Sequence, residues 1–130
     1  MKSIEEIREE FAKDRYATEN GAVIDEVGEG FAKCSITLEN RHKNAMGGVM
    51  GGVYFTLADF AFAVAANHEK MSVVSISTNI SFLSACKGDK VTAEAKMVKD
   101  GRTTCYYTVD VTDNTGRLVA AVTITGCKVG

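Results

Sequence analysis

Asp59 is the one charged side chain between Lys43 and Glu69, set in the run Val53-Tyr-Phe-Thr-Leu-Ala-Asp-Phe-Ala-Phe-Ala-Val-Ala-Ala66. A helix that is apolar on every face belongs in the middle of a core. Carboxylates are seldom buried alone, because stripping the charge of water costs several kcal/mol. A lone aspartate there points first to chemistry, with a structural acceptor or a polar stripe shared with Thr56 as the bland alternative. Upstream lies Asn44-Ala-Met-Gly-Gly-Val-Met-Gly-Gly52, with four glycines in its last six residues. Such a segment leading into a helix leaves backbone N–H groups bare, with the positive end of the helix dipole facing outward. A helix start of this kind suits a negatively charged group.

Other chemistries find less support. His42 and His68 are the only histidines, both beside charged residues and without metal-ligand spacing, so no metal and no cofactor is expected. Cys34, Cys86, Cys105 and Cys127 are far apart and form no Cys-x-x-Cys pair, which favours buried free thiols over bridges or zinc. A formal charge of -2 and the lack of a Lys/Arg cluster argue against nucleic acid as a partner. No signal-like or membrane-length apolar segment is seen, so the expectation is a cytoplasmic protein without a membrane partner. At 130 residues, 1–130 reads as one domain.

The elements that must position these residues follow from periodicity. Residues 3–17 carry Ile4, Ile7, Phe11 and Ala12 on one face and begin at Ser3 with Glu6 three on, predicting one amphipathic helix ended by Asn20-Gly21. Residues 22–27 and 31–38 alternate around Gly28-Glu-Gly30 and read as a strand pair. After the buried helix, 73–83, 89–99, 103–112 and 117–128 are rich in Val, Ile, Thr and Tyr. Their separators, Lys87-Gly-Asp89, Asp100-Gly101 and Asp113-Asn-Thr-Gly116, have tight-turn chemistry and predict a four-strand antiparallel meander. The fold class is therefore α+β, a curved antiparallel sheet wrapped around one long helix, with an added N-terminal helix.

The pattern resembles a hotdog fold and, more narrowly, the PaaI-like acyl-CoA thioesterases, the family named for phenylacetate degradation. That family's motif runs Asn-x-x-Gly-x-x-His-Gly-Gly, four residues, Leu-x-Asp; Asn44, Gly47, Gly51, Gly52, Leu57 and Asp59 match, and Met50 stands where the family usually has His. The likeness continues through Ile76–Leu83, Lys87-Gly-Asp89, Gly101-Arg102 and Gly116–Ala120. It implies an acyl- or aryl-CoA thioester hydrolase in which the Gly51 amide polarises the carbonyl and Asp59 acts as base or nucleophile. It further implies that Asn44 positions water or thioester. Met50, Gly52, Ser75, Phe82, Lys87 and Arg102 would line the substrate site, with Lys90 and Lys99 near its phosphates and Phe55, Phe62 and Leu83 near its acyl group. A thioether cannot replace an imidazole as hydrogen-bond donor, so a non-catalytic acyl-CoA binding or sensing protein stays open as the alternative.

Spacing adds a constraint of its own. Gly51 and Asp59 are eight residues apart, ~12 Å along one helix. Both cannot reach one carbonyl, which demands contacts of ~3 Å. A two-fold partner with an antiparallel helix would bring Gly51 of one chain to Asp59 of the other. The expectation is a homodimer with composite sites, in keeping with the dimers and homotetramers the resemblance implies.

Overall fold

The computed structural model describes residues 2–130. Its elements are α1 (Ile4–Phe11), α2 (Arg15–Glu19), β1 (Val23–Gly28), β2 (Phe31–Thr37), a 3-10 turn (Asn40–His42), α3 (Gly51–Asn67), β3 (Val73–Phe82), β4 (Lys90–Asp100), β5 (Thr104–Asp113) and β6 (Leu118–Lys128). The strands form one six-stranded antiparallel sheet in the order β1-β2-β4-β5-β6-β3. It curls around α3, as the hotdog resemblance implies.

Alternation explains the wrap. Ala32, Cys34 and Ile36 of β2 pair with Ala95, Ala93 and Val91 of β4, and all six are buried. Small residues on this floor let α3 lie close. Register shifts interrupt four of the five pairings, at Ile24/Glu26, Ser75/Ser77, Met97/Lys99 and Val111/Thr112. Bulges strengthen twist and bend strands, which is how a sheet curls without prolines. Gly126 of β6 marks a close approach: a Cβ there would meet Val73 Cγ1 at 2.7 Å, Cys105 Sγ at 2.8 Å and Phe62 Cζ at 2.9 Å. Phe62 in turn stands edge-on to Tyr107, with ring centroids 5.2 Å apart, so its place is the core rather than an acyl tunnel.

Three sequence expectations are corrected here. The segment 3–17 is two helices, not one. The capping box of Ser3 and Glu6 is present, but the chain breaks after Ala12 through tight bonds from Lys13 N–H to Glu10 O and from Asp14 N–H to Phe11 O. Continuing the helix would carry Asp14, Arg15 and Thr18 onto the stripe that Ile7 and Phe11 bury; the break instead turns Ala17 inward.

The meander has three strands, not four. β3 leaves α3 and pairs with β6 at the far edge, Ile80 opposite Val122 and Phe82 opposite Ala120. Lys87-Gly-Asp89 is thus part of a crossover beneath the β5–β6 turn, not a hairpin. Asp113, buried at that turn, accepts bonds at Oδ1 from Thr115 N–H, Thr115 O–H and Arg117 N–H, and at Oδ2 from Lys87 N–H. These donors hold its carboxyl well below the usual carboxylate range.

Third, α3 is not enclosed all round. Tyr54, Leu57, Ala58, Phe60, Ala61, Phe62, Val64 and Ala65 are buried, whereas Gly52, Phe55, Thr56, Asp59, Ala63 and Ala66 form a stripe that the sheet leaves uncovered. Spacings of three and four residues put these on one side of the helix. The structure thus has the polar stripe of Asp59 and Thr56 as well as an apolar exposed one, which composition alone could not separate from a fully buried helix.

Candidate active site

The glycine-rich segment is organised by Asn44. Its Oδ1 accepts from Met46 N–H (2.9 Å) and Gly48 N–H (3.1 Å), its own N–H donates to Gly48 O (2.7 Å), and Gly47 takes a positive φ of 87°. This is an Asx turn, and it leaves the Asn44 Nδ2 donor uncommitted. Met50 N–H donates to His42 O (2.9 Å), which anchors the start of α3 to the 3-10 turn. His42 is itself buried and engaged at both nitrogens, with Nδ1 accepting from Glu39 N–H and Nε2 2.6 Å from Asn20 O.

Met50 is the N-cap residue of α3 and supplies no capping bond, and among the described residues no acceptor takes the Gly51 or Gly52 amides. Two donors with the helix dipole behind them therefore point away from the fold. Gly51 is glycine for a reason visible in the packing: a Cβ there would meet Phe82 Cε1 at 2.9 Å. The Phe82 ring also leans on Tyr54 at 6.4 Å, so the end of β3 forms one wall beside the amides. The Met50 side chain lines a recess with Tyr16, Arg41, His42, Gly52 and Thr56.

Two turns down the same stripe, Asp59 opens on a cleft of about 540 Å³ between α2 and α3, lined by Lys13, Asp14, Arg15, Tyr16, Ala17, Phe55, Thr56 and Phe60. Its carboxylate has no hydrogen-bond or ion-pair partner among the described residues. Partial burial, and then the negative charge of Asp14, push its pKa above the ordinary aspartate value. Phe11 stands edge-on behind Phe60 at 6.3 Å and closes the floor. The sequence reading passed over Lys13-Asp14-Arg15-Tyr16; the available signal was that the apolar stripe of the N-terminal helix stops where this polar run begins.

The remaining expected residues separate into two groups. Lys87 sits with Gly51, Gly52 and Phe82 at one end of the sheet, its N–H on Asp113 at the end of β5. Arg102 lies in the β4–β5 turn, and Ser75 is exposed at the opposite end of the sheet beside the β3 bulge, opposite Gly126. The ten residues of β5 separate Lys87 and Arg102 by roughly 30 Å. One chain cannot bring both to one phosphate. Lys90 starts β4 at the Lys87 end and Lys99 follows a bulge near its other end; Phe55, Phe82 and Leu83 are exposed.

The edges of the sheet differ. β1 is six residues long, carries Asp25 and Glu26, and has Ile24 O capped by Arg8 Nε and Nη2. β3 is ten residues without a charge, pairs only with β6 among the described residues, and exposes Val74, Ile76 (60 %) and Phe82 (57 %). Among the described residues no helix is long and apolar enough to cross a membrane.

The family model of the Thioesterase superfamily matches residues 46–120, which hold both Gly51 and Asp59. The acyl-coenzyme A thioesterase PaaI of Escherichia coli is 32 % identical over 111 residues, 85 % of this chain and 79 % of that protein. Acyl-coenzyme A thioesterase 13 of Homo sapiens is 33 % identical over 91 residues, 67 % of this chain and 65 % of its own length. A protein of Archaeoglobus fulgidus is 37 % identical over 100 residues, and this chain likewise spans 65 % of its length. Among solved structures, the E. coli PaaI protein of the phenylacetic acid degradation operon superposes with a TM-score of 0.83 at 28 % identity, covering 98 % of this chain and 97 % of that one. A thioesterase protein from Streptococcus pneumoniae, solved with coenzyme A, superposes with a TM-score of 0.83 at 28 % identity over 94 % of this chain and 96 % of that one.

Proposed function

The chain belongs to the thioesterase superfamily, and from that premise we propose that it hydrolyses an acyl- or aryl-CoA thioester to the free acid and CoA. Residues 1–130 act as one domain in this reading. The observation that carries it is α3 itself, which leaves the Gly51 and Gly52 amides bare at its start and, among the described residues, the Asp59 carboxylate without a partner on its uncovered stripe. As charge develops on the carbonyl oxygen, a preorganised helix-terminal amide is worth about 3 kcal/mol in the transition state. Asp59, partly withdrawn from water and with no cation holding it, is free to serve as base or nucleophile. In this reading the uncommitted Asn44 Nδ2 orients water or thioester from the Gly51 side.

The two parts are ~12 Å apart on one helix and meet only across two copies. The long, uncharged, exposed edge of β3 supports such pairing, because an edge of this kind invites another strand unless it is guarded. A partner laid on β3 would also cover the α3 stripe and enclose Asp59. In the paired molecule, Phe82 and Lys87 flank the Gly51 amides, Met50 and Gly52 line the adjoining recess, and Ser75 and Arg102 act from the other end of the sheet. A homodimer is the smallest assembly with complete sites; two such dimers would make the homotetramer.

The test is release of free thiol from short-chain, medium-chain and aryl CoA thioesters, with Asp59→Ala beside the wild type. Turnover that disappears in Asp59→Ala is expected. Met50 supports one second reading, a binding or sensing protein, since its thioether brings no donor to the amides. Saturable binding of CoA thioesters by wild type with no thiol release would select it.

A further inference from the structure

The break between α1 and α2 puts Asp14 where a continuous helix could not. Asp14 occupies the N-cap position of α2, yet its carboxylate makes no capping bond; its φ and ψ are -76° and 72°. An N-cap aspartate ordinarily satisfies an amide of its own helix. Here it lines the cleft into which Asp59 opens, and it engages no other donor among the described residues. The other titratable groups on that cleft are Lys13, Arg15 and Tyr16, all on the same segment, and α3 contributes none besides Asp59. Arg15 is drawn away into an ion pair with Glu19.

We propose that Asp14 is a second carboxylate of this site, a positioning residue whose charge, set beside Asp59 by the helix break, biases Asp59 to act as a base toward water. The role rests on the reading of Asp59 as the reacting carboxylate. In the step it favours, Asp59 takes a proton from water as the water oxygen bonds to the carbonyl carbon. The C–S bond then breaks, and the departing thiolate receives that proton, leaving acid and thiol. Two acids on one cleft do not ionise independently, and the one that holds its proton more firmly is the stronger base once ionised. Asp14 is exposed along one side of the cleft, and partial desolvation there raises its pKa. A partner over the α3 stripe would exclude water from the cleft and strengthen the coupling.

The test reads Asp59 directly, by titrating carboxyl-13C-labelled aspartate in the purified full chain, with the Asp59 signal assigned by its loss in Asp59→Asn. Asp14→Asn and Asp14→Ser are compared with wild type; serine keeps a capping side chain, so a purely structural role predicts no change there. The expected result is a fall in the Asp59 midpoint in both variants. The acid limb of the pH–rate profile should move down with it, while KM holds. An Asp59 midpoint unmoved in both folded variants overturns the proposal. Absence of any thioester turnover in wild type would overturn the functional reading instead, and the titration would still decide whether the two acids are coupled.

Discussion

At the scale of single residues, Asp59 combines two properties that pull against stability. It is partly buried and among the described residues it has no partner, so ionising it costs the fold something that an amide would not. Its folded pKa lies above the ordinary aspartate value, so stability falls as pH rises from the ordinary value through the raised one, and the penalty is complete above the latter. Asp59→Asn is therefore expected to raise Tm at neutral pH, with the advantage vanishing below the ordinary carboxylate range, while kcat falls by about two to four orders of magnitude. Thermal melts across pH beside thiol-release rates check both halves; a variant less stable at neutral pH would refute the unpartnered carboxylate. Met50 is the second telling residue. Its recess is lined by Tyr16, Arg41 and Thr56, so Met50→His places an imidazole among them beside the bare amides. A rise in kcat with little change in Tm is expected, and a fall would mean the recess is shaped for the thioether.

At the scale of elements, the start of α3 matters more than its length. Gly51 is the first helical residue and Met50 before it is already extended at φ -65° and ψ 135°, the conformation that tolerates a following proline. Gly51→Pro thus deletes one amide donor without breaking the helix, and its Cβ also pushes aside the Phe82 ring that stands beside the amides. A loss of about 10²–10³ in kcat, with CD unchanged, is expected. Gly126 represents the opposite kind of constraint. Three separate side chains crowd the space its Cβ would need, and they belong to α3, β3 and β5. Gly126→Ala should cost about 1–3 kcal/mol in urea unfolding, because no single neighbour can yield alone. Neither constraint was visible in the sequence as such: both glycines stand in patterns that many strands and helix starts share.

At the scale of the whole molecule, the question is whether each site belongs to one chain or two. Asp59→Asn and Gly51→Pro chains, each nearly inactive, can be mixed and allowed to exchange subunits. If the sites are composite, each mixed dimer holds one intact site, and about a quarter of wild-type activity returns. Sites contained within one chain would recover nothing. The edge of β3 offers an independent check by size-exclusion chromatography, since a lysine on an exposed strand edge discourages pairing: Ile76→Lys should shift the molecule toward monomer and abolish turnover together.

Much of this was legible in the chain itself. The lone carboxylate, the bare helix start, the strand runs and the ~12 Å spacing are all local, set by residue type and by a helical rise that does not depend on context. Periodicity also found the N-terminal helix start and the β1–β2 pair. What the sequence could not order was β3 and β4, because turn chemistry records that a chain bends and not which strand it bends toward; the pairing of β3 with β6 is decided by burial over forty residues of separation. The same holds for Asp59. Its solitude could be read in the sequence, but which side of α3 the sheet leaves open, and that Asp14 shares that opening, are properties of the wrapped sheet and the broken helix alone.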